Sequence, residues 1–153
     1  MKPNAAKQAA RDGVTPSTGY RLEQQVGYIL RQASQRHASI FAGRIPEGLT
    51  TTQFSTLVRL QEVGACSQNR LGRLTAMDGA TIKGVTDRLI QRGFVTARID
   101  PEDGRHRVLA LTAEGLDVVA RAIPAAMEIT AETLEPLSAD ERDLFVRLLK
   151  KLR

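Results

Sequence analysis

The feature that most constrains this chain is a change of hydrophobic period at Gly93. Up to that point Ile82, Val85 and Leu89 recur at helical spacing, with Asp78 placed to cap the helix and accept from its orphan amides. Beyond it, Phe94 to Ile99 alternates apolar with polar, a turn-rich DPEDGR follows, and Val108 to Leu111 is again β-rich. A helix halted by a glycine and followed at once by a hairpin leaves few folds open.

Upstream, Leu22, Val26, Ile29, Ala33 and Ile40 predict a long amphipathic helix from Tyr20 to Phe41. Gly43, Pro46 and Gly48 interrupt it. The run TTTQ from Thr50 to Gln53 then has the spacing of a capping box, opening a second helix that buries Phe54, Leu57, Val58 and Leu60 and closes at Gly64. Ser67 to Ala76, with Leu71 and Leu74 inward, has room for two or three further turns. Downstream, a helix is expected from Thr112 towards Pro136, either kinked at Pro124 or divided there into two. A second capping box, SADE from Ser138 to Glu141, opens a last helix whose stripe is Leu144, Phe145, Leu148, Leu149 and Leu152.

With four Phe, two Tyr and no Trp in 153 residues, the core is built from Leu, Val, Ile and Ala. The expected fold is therefore mainly α with a small β-hairpin. Two short helices joined by a tight turn, followed by a hairpin with a basic loop, is the order of a winged helix-turn-helix. Its second helix enters the major groove, where base edges are distinguishable. Charge agrees with this placement. Residues 1–66 carry 8 basic and 4 acidic groups, residues 67–107 carry 8 and 5, and residues 113–153 carry 6 and 8. The basic excess lies on the side of the chain that would meet a polyanion.

At this level the runs ATIKGVTDRLIQRGFV and DPEDGRHRVLALTAEG resemble the recognition helix and wing of MarR-type transcription regulators. Asp103, Arg105, Leu111 and Thr112 fit that family's D-x-R-x-x-x-x-x-L-T wing signature at each fixed position, with Gly115 following. The order of the flanking helices agrees, so the resemblance covers about residues 20–153. Residues 1–19 are polar, small and rich in breakers, which predicts a flexible arm, and the resemblance implies one domain over 20–153. Within that domain the winged helix-turn-helix spans about 50–112, and dimerisation helices span about 20–41 and 113–153.

The resemblance also implies roles. Ser67, Gln68 and Asn69 would open the first helix of the motif and contact phosphates. Thr81, Lys83 and Arg88 would face the major groove, with Gly84 letting the backbone approach closely. From the wing, Arg105 would reach the minor groove with Asp103 orienting an arginine, and His106 and Arg107 would add to the grip. The family often has a second arginine where this chain has Gly104, and a basic or polar side chain where it has Gly84. The partners implied are double-stranded DNA, a second copy of the chain, and a small effector, an aromatic acid or its thioester. His37, Phe41, Arg44 and Phe54 are the candidate effector residues, Arg44 to meet a carboxylate.

Other classes find less support. The sequence has no G-x-S-x-G, P-loop or H-E-x-x-H, so no catalytic set and no cofactor are expected. His37 and His106 do not make a metal site by themselves. No apolar run serves as a signal peptide or a membrane span, and Cys66 has no partner for a disulfide within the chain, so a cytoplasmic regulator is expected. Three alternatives remain: an architectural protein that binds DNA by charge alone, a thiol-based redox regulator acting through Cys66, and a protein-interaction module with a vestigial wing.

Overall fold

The structure, a computed structural model, describes residues 19–99 and 107–153. The chain divides into two compact units, Met1–Ala33 and Ser34–Arg153. In the first, a 3-10 turn at Leu22–Gln24 precedes the opening turns of α1 (Val26–Arg44). The expected helix is therefore displaced at both ends. Arg21 and Gln25 flank the 3-10 turn in extended conformation, which breaks the start, and the far end runs on through Gly43 to Arg44. Tyr20, Leu22, Val26, Ile29 and Leu30 are exposed.

The second unit holds the rest of α1, then α2 (Thr51–Val63), β1 (Cys66–Ser67), α3 (Gln68–Leu74), α4 (Gly79–Gln91), β2 (Val95–Ile99), β3 (Arg107–Leu111), α5 (Ala113–Thr133) and α6 (Ala139–Lys150). Both capping boxes form. The Thr50 side chain accepts from Gln53 N while Gln53 Oε1 accepts from Thr50 N, and Ser138 and Glu141 do the same for α6. Asp78 caps α4 by accepting from Thr81 N at 2.7 Å, and Gly93 ends it at φ +78. Despite Pro124, α5 is one helix, with Val118, Val119 and Ala122 buried before the proline and Ile129 after it.

The hairpin is part of a larger sheet. Among the described residues the sheet is three-stranded and antiparallel in the order β1-β3-β2, with Cys66 opposite Leu109 and Val95 opposite Leu111. The sequence expectation of two strands missed β1. Leu57, Leu71, Ile82, Leu89 and Leu109 are fully buried, so the core packs α2, α3 and α4 against the inner face of that sheet, and Val118 and Val119 bring α5 onto it. The sheet and helix-turn-helix are thereby one body, which fixes α4 relative to the strands that lead to the wing tip.

Candidate nucleic-acid interface

Each residue of the helix-turn-helix is positioned by a local contact. Ser67 is the N-cap of α3, its hydroxyl accepting from Arg70 N at 3.3 Å, while its backbone is paired in β1 opposite Val108. Gln68 is half-buried and Asn69 exposed. The turn to α4 is closed by Thr75 Oγ1 donating to Leu71 O at 2.7 Å and Met77 N donating to Gly72 O at 2.9 Å. In α4, Ile82, Val85, Thr86 and Leu89 face inward. That leaves Gly79, Ala80, Thr81, Lys83 and Arg88 exposed and Gly84 half-buried. One face of the helix is fixed in the core and the other is open, as a helix that reads a groove requires.

The open face carries a charge cluster. Lys83 Nζ donates to Asp87 Oδ2 at 2.6 Å, and Arg107 Nη1 at the start of β3 lies 3.6 Å from Asp87 Oδ1. The hydrogen bond from Lys83 holds the Asp87 carboxyl below the usual carboxylate range, with the charges of Lys83 and Arg107 adding to it. Arg98 on β2 is exposed as well. Asp103, Arg105 and His106, the sequence candidates at the wing tip, lie outside the described residues, as does Gly104.

At its base the wing is tied to α5. Thr112 N donates to Phe94 O at 3.1 Å, Thr112 Oγ1 donates to Gly93 O at 2.7 Å, and Gly115 N donates back to Thr112 Oγ1 at 3.0 Å. The Leu-Thr-x-x-Gly spacing is thus a structural joint: the threonine caps α5 and pins the end of α4 with the same hydroxyl. On the edge strand β1, burial pushes the Cys66 thiol up from its ordinary value, and the charge of Arg70 offsets only part of that. A thiol in that setting is a poor nucleophile.

The four candidate effector residues come together in part. The rings of His37 and Phe41 are 6.2 Å apart and those of Phe41 and Phe54 are 5.9 Å apart, making an aromatic row from α1 to α2. His37 Nδ1 is hydrogen-bonded to Thr133 Oγ1 of α5 at 2.9 Å. Arg44 meets carboxylates of the chain itself, pairing with Glu132 and lying 3.9 Å from Glu128. Sequence reasoning missed a cleft of about 500 Å³ between α2 and α5, walled by Phe54, Val58, Ile123, Ala126 and Met127, with Glu62 and Thr130 as its polar groups. Only Phe54 was foreseen there. The Lys83 and Asp87 pair had a readable signal, their separation of one helical turn.

Among the described residues no group of His, Cys, Asp or Glu is placed to hold a metal ion, and no helix is long and apolar enough to cross a membrane. The MarR family model matches residues 49–106, which hold α2, the helix-turn-helix and β2 and stop just before β3. The chain is 39% identical over 137 residues to the HTH-type transcriptional repressor NicR of Pseudomonas putida, covering 89% of this chain and 87% of the relative. A probable transcriptional regulator from Pseudomonas aeruginosa is 50% identical, with a TM-score of 0.84 over 87% of this chain and 100% of that one. BpsR of Bordetella bronchiseptica, whose DNA binding is regulated by 6-hydroxynicotinic acid, is 40% identical, with a TM-score of 0.82 over 87% of this chain and 96% of that one. With α4 open on one face, a wing pinned to the helix behind it, and this kinship along most of its length, the chain belongs to the MarR family of DNA-binding transcriptional regulators and is not an enzyme.

Proposed function

We propose that the chain is a cytoplasmic repressor that binds a pseudo-palindromic operator as a homodimer and is released by a small aromatic acid. The observation that carries this is the division of α4, whose apolar face is locked into the core while Thr81, Lys83 and Arg88 stand exposed on the other side. In the proposed complex those residues meet the major groove and its backbone, Ser67, Gln68 and Asn69 meet phosphates, and Arg105 enters the minor groove from the wing. Exposed apolar side chains support the dimer: Tyr20 and Val26 near the start of the described chain, Leu144, Phe145 and Leu148 on α6, and Leu152 just beyond it. In a lone chain these would remain in water. Two half-sites on one face of B-DNA lie about 34–36 Å apart, so the dimer helices would set the span between readers.

The effector class comes from kinship and from shape. The DNA binding of BpsR is regulated by 6-hydroxynicotinic acid, and the cleft between α2 and α5 is mostly apolar, with room for a monocyclic ligand. Phe54 belongs both to that cleft and to the aromatic row with Phe41 and His37. A ring would stack there on Phe54, with Thr130 as a hydrogen-bonding group at the wall.

Gel-shift titration at fixed salt tests the DNA reading. Lys83→Ala and Arg105→Ala should each weaken operator binding by about tenfold, the scale of one lost contact, and leave the dimer intact by size-exclusion chromatography. Unchanged affinity in both variants would remove these residues from the interface, and equal affinity for operator and random DNA would make the protein a charge-only binder.

A further inference from the structure

Asp87 is out of place on a surface that meets a polyanion. It lies on α4 one turn beyond Lys83, is half-buried, and its two carboxylate oxygens serve two different elements. Oδ2 takes the Lys83 ammonium at 2.6 Å, and Oδ1 faces the Arg107 guanidinium at 3.6 Å. Arg107 is the first residue of β3, the strand that returns from the wing tip. One side chain therefore links the reading helix to the wing and cancels one of the two positive charges it gathers.

Affinity alone would not place it there. A carboxylate close to the backbone of DNA repels phosphates, and each cation it neutralises is one fewer free to displace condensed counterions. Fold stability does not demand it either, because all three side chains are 41% to 63% exposed and ion pairs so exposed contribute little. What the arrangement does provide is geometry. Lys83 is directed along the helix towards Asp87, and Arg107 is drawn to the same point, so the two cations are offered to DNA in one fixed relation.

We propose that Asp87 is a positioning residue for sequence discrimination, holding Lys83 and Arg107 in register across α4 and β3 while lowering the protein's grip on DNA of any sequence. The proposal rests on the reading of α4 and the wing as the DNA interface. With Asp87 removed, both cations are free to follow whichever phosphates are near, so binding becomes stronger on average and less selective.

The test compares wild type, Asp87→Asn and Asp87→Glu by fluorescence anisotropy on two duplexes across a salt titration. One duplex of about 20 base pairs, enough for two half-sites, is selected by the wild-type protein from a randomised library, and the other is its scrambled counterpart. Asp87→Asn should bind the scrambled duplex about fourfold more tightly, with a log–log salt slope steeper by about one phosphate contact. Its preference for the selected duplex should fall by about tenfold, the scale of one mispaired position. Asp87→Glu, which keeps the charge and can reach both cations, should restore the preference. In a Lys83→Ala background the Asn substitution should have a smaller effect on preference. An unchanged slope and preference in Asp87→Asn overturns the proposal, and so does an equal loss on both duplexes with a lowered melting temperature. A wild-type protein that prefers neither duplex overturns the DNA reading itself, whereas a selective wild type with an equally selective Asp87→Asn overturns the role of Asp87 alone.

Discussion

Two glycine-to-alanine substitutions should have opposite signs. At Gly115, an ideal Cβ would lie 2.0 Å from Phe94 O, 3.0 Å from Phe94 C and 3.3 Å from Leu111 Cδ2. Real Cβ contacts stay above 3.0 Å, so the start of α5 and the start of β2 must part by about 1 Å. The obstructing carbonyl is the one that accepts from Thr112 N, so it cannot retreat without losing that bond. The separation also strains the Thr112 Oγ1 contacts to Gly93 O and Gly115 N. A backbone hydrogen bond is worth about 1 kcal/mol, an N-cap about 1 kcal/mol and overpacking roughly 1–3 kcal/mol, against a helix-propensity gain below about 1 kcal/mol. Gly115→Ala should therefore destabilise by about 3 kcal/mol and lower the melting temperature by about 10 °C in a chain of this size. At Gly84, in the interior of α4, the same methyl meets nothing within 4 Å. There it should stabilise by about 0.5–1 kcal/mol through reduced backbone entropy in the unfolded chain. Circular dichroism with thermal and urea denaturation at matched protein concentration measures both, the matching being needed because self-association makes the midpoint depend on concentration. A Gly115→Ala variant within about 1 kcal/mol of wild type, or two variants that shift the same way, would refute the reasoning.

Three further outcomes follow from the site. Asp78 is held below its ordinary value of 3.8, first by the Thr81 backbone N–H, then by the Thr81 hydroxyl and the Ala80 N–H. Because the folded state takes up that proton less readily than the unfolded one, the stabilisation is complete above 3.8 and fades as pH falls through the lower folded-state value. Asp78→Asn, which still caps but does not titrate, should show a shallower acid limb in a plot of stability against pH; identical limbs would count against the assignment. If the proposed aromatic-acid effector sits in the cleft between α2 and α5, Ala126→Trp, which fills it, should abolish any melting-temperature rise that a panel of monocyclic aromatic acids gives the wild type, while operator binding persists; an undiminished rise would move the effector elsewhere. Cys66→Ala should leave operator affinity within about twofold of wild type, and peroxide should not change wild-type binding, since the thiol is buried and its pKa raised; a peroxide response lost in the variant would establish the thiol-sensor reading instead.

What was legible in the sequence was local. The boxes at Thr50 and Ser138, the Asp78 cap and the Gly93 stop each depend on residues within four positions, so spacing alone finds them. The misses are contacts between distant segments. Two-residue β1 has no period to read and exists because Cys66 and Ser67 find Leu109 and Val108. Glu47 adopts φ +59, a conformation disfavoured for a side chain with a Cβ, and local pattern gives no hint of it. The α2–α5 cleft escaped for the same reason, since Ile123 and Met127 look like any apolar helix positions until α2 is set beside them. Pro124 left two outcomes open. The uninterrupted helix fits the packing of Val119 and Ala122 before it and Ile129 after it, which opposes the cost of the missing amide.

Glu47 bears on how an effector can act. Its carbonyl accepts from Arg92, the C-cap residue of α4, at 2.6 Å, and its carboxylate accepts from Arg121 of α5 at 3.0 Å. Arg92 also lies 4.7 Å above the Phe94 ring, and Arg121 is held in turn by Asp117 at 3.0 Å. A non-glycine residue in the left-handed region costs roughly 1–2 kcal/mol, and here that conformation joins the turn after α1, the end of α4 and the first half of α5. Together with the Thr112 joint, these bridges tie α4 to α5. A ligand wedged between α2 and α5 is then poorly placed to swing α4 alone. In the proposed dimer, the quantity left for it to change is the distance between two rigid readers, and it can change that only to the extent that it binds one spacing better than another. Because half-sites recur at a fixed helical repeat, a displacement of a few ångströms leaves one reader out of its groove, which is enough for release without any rearrangement inside the winged helix.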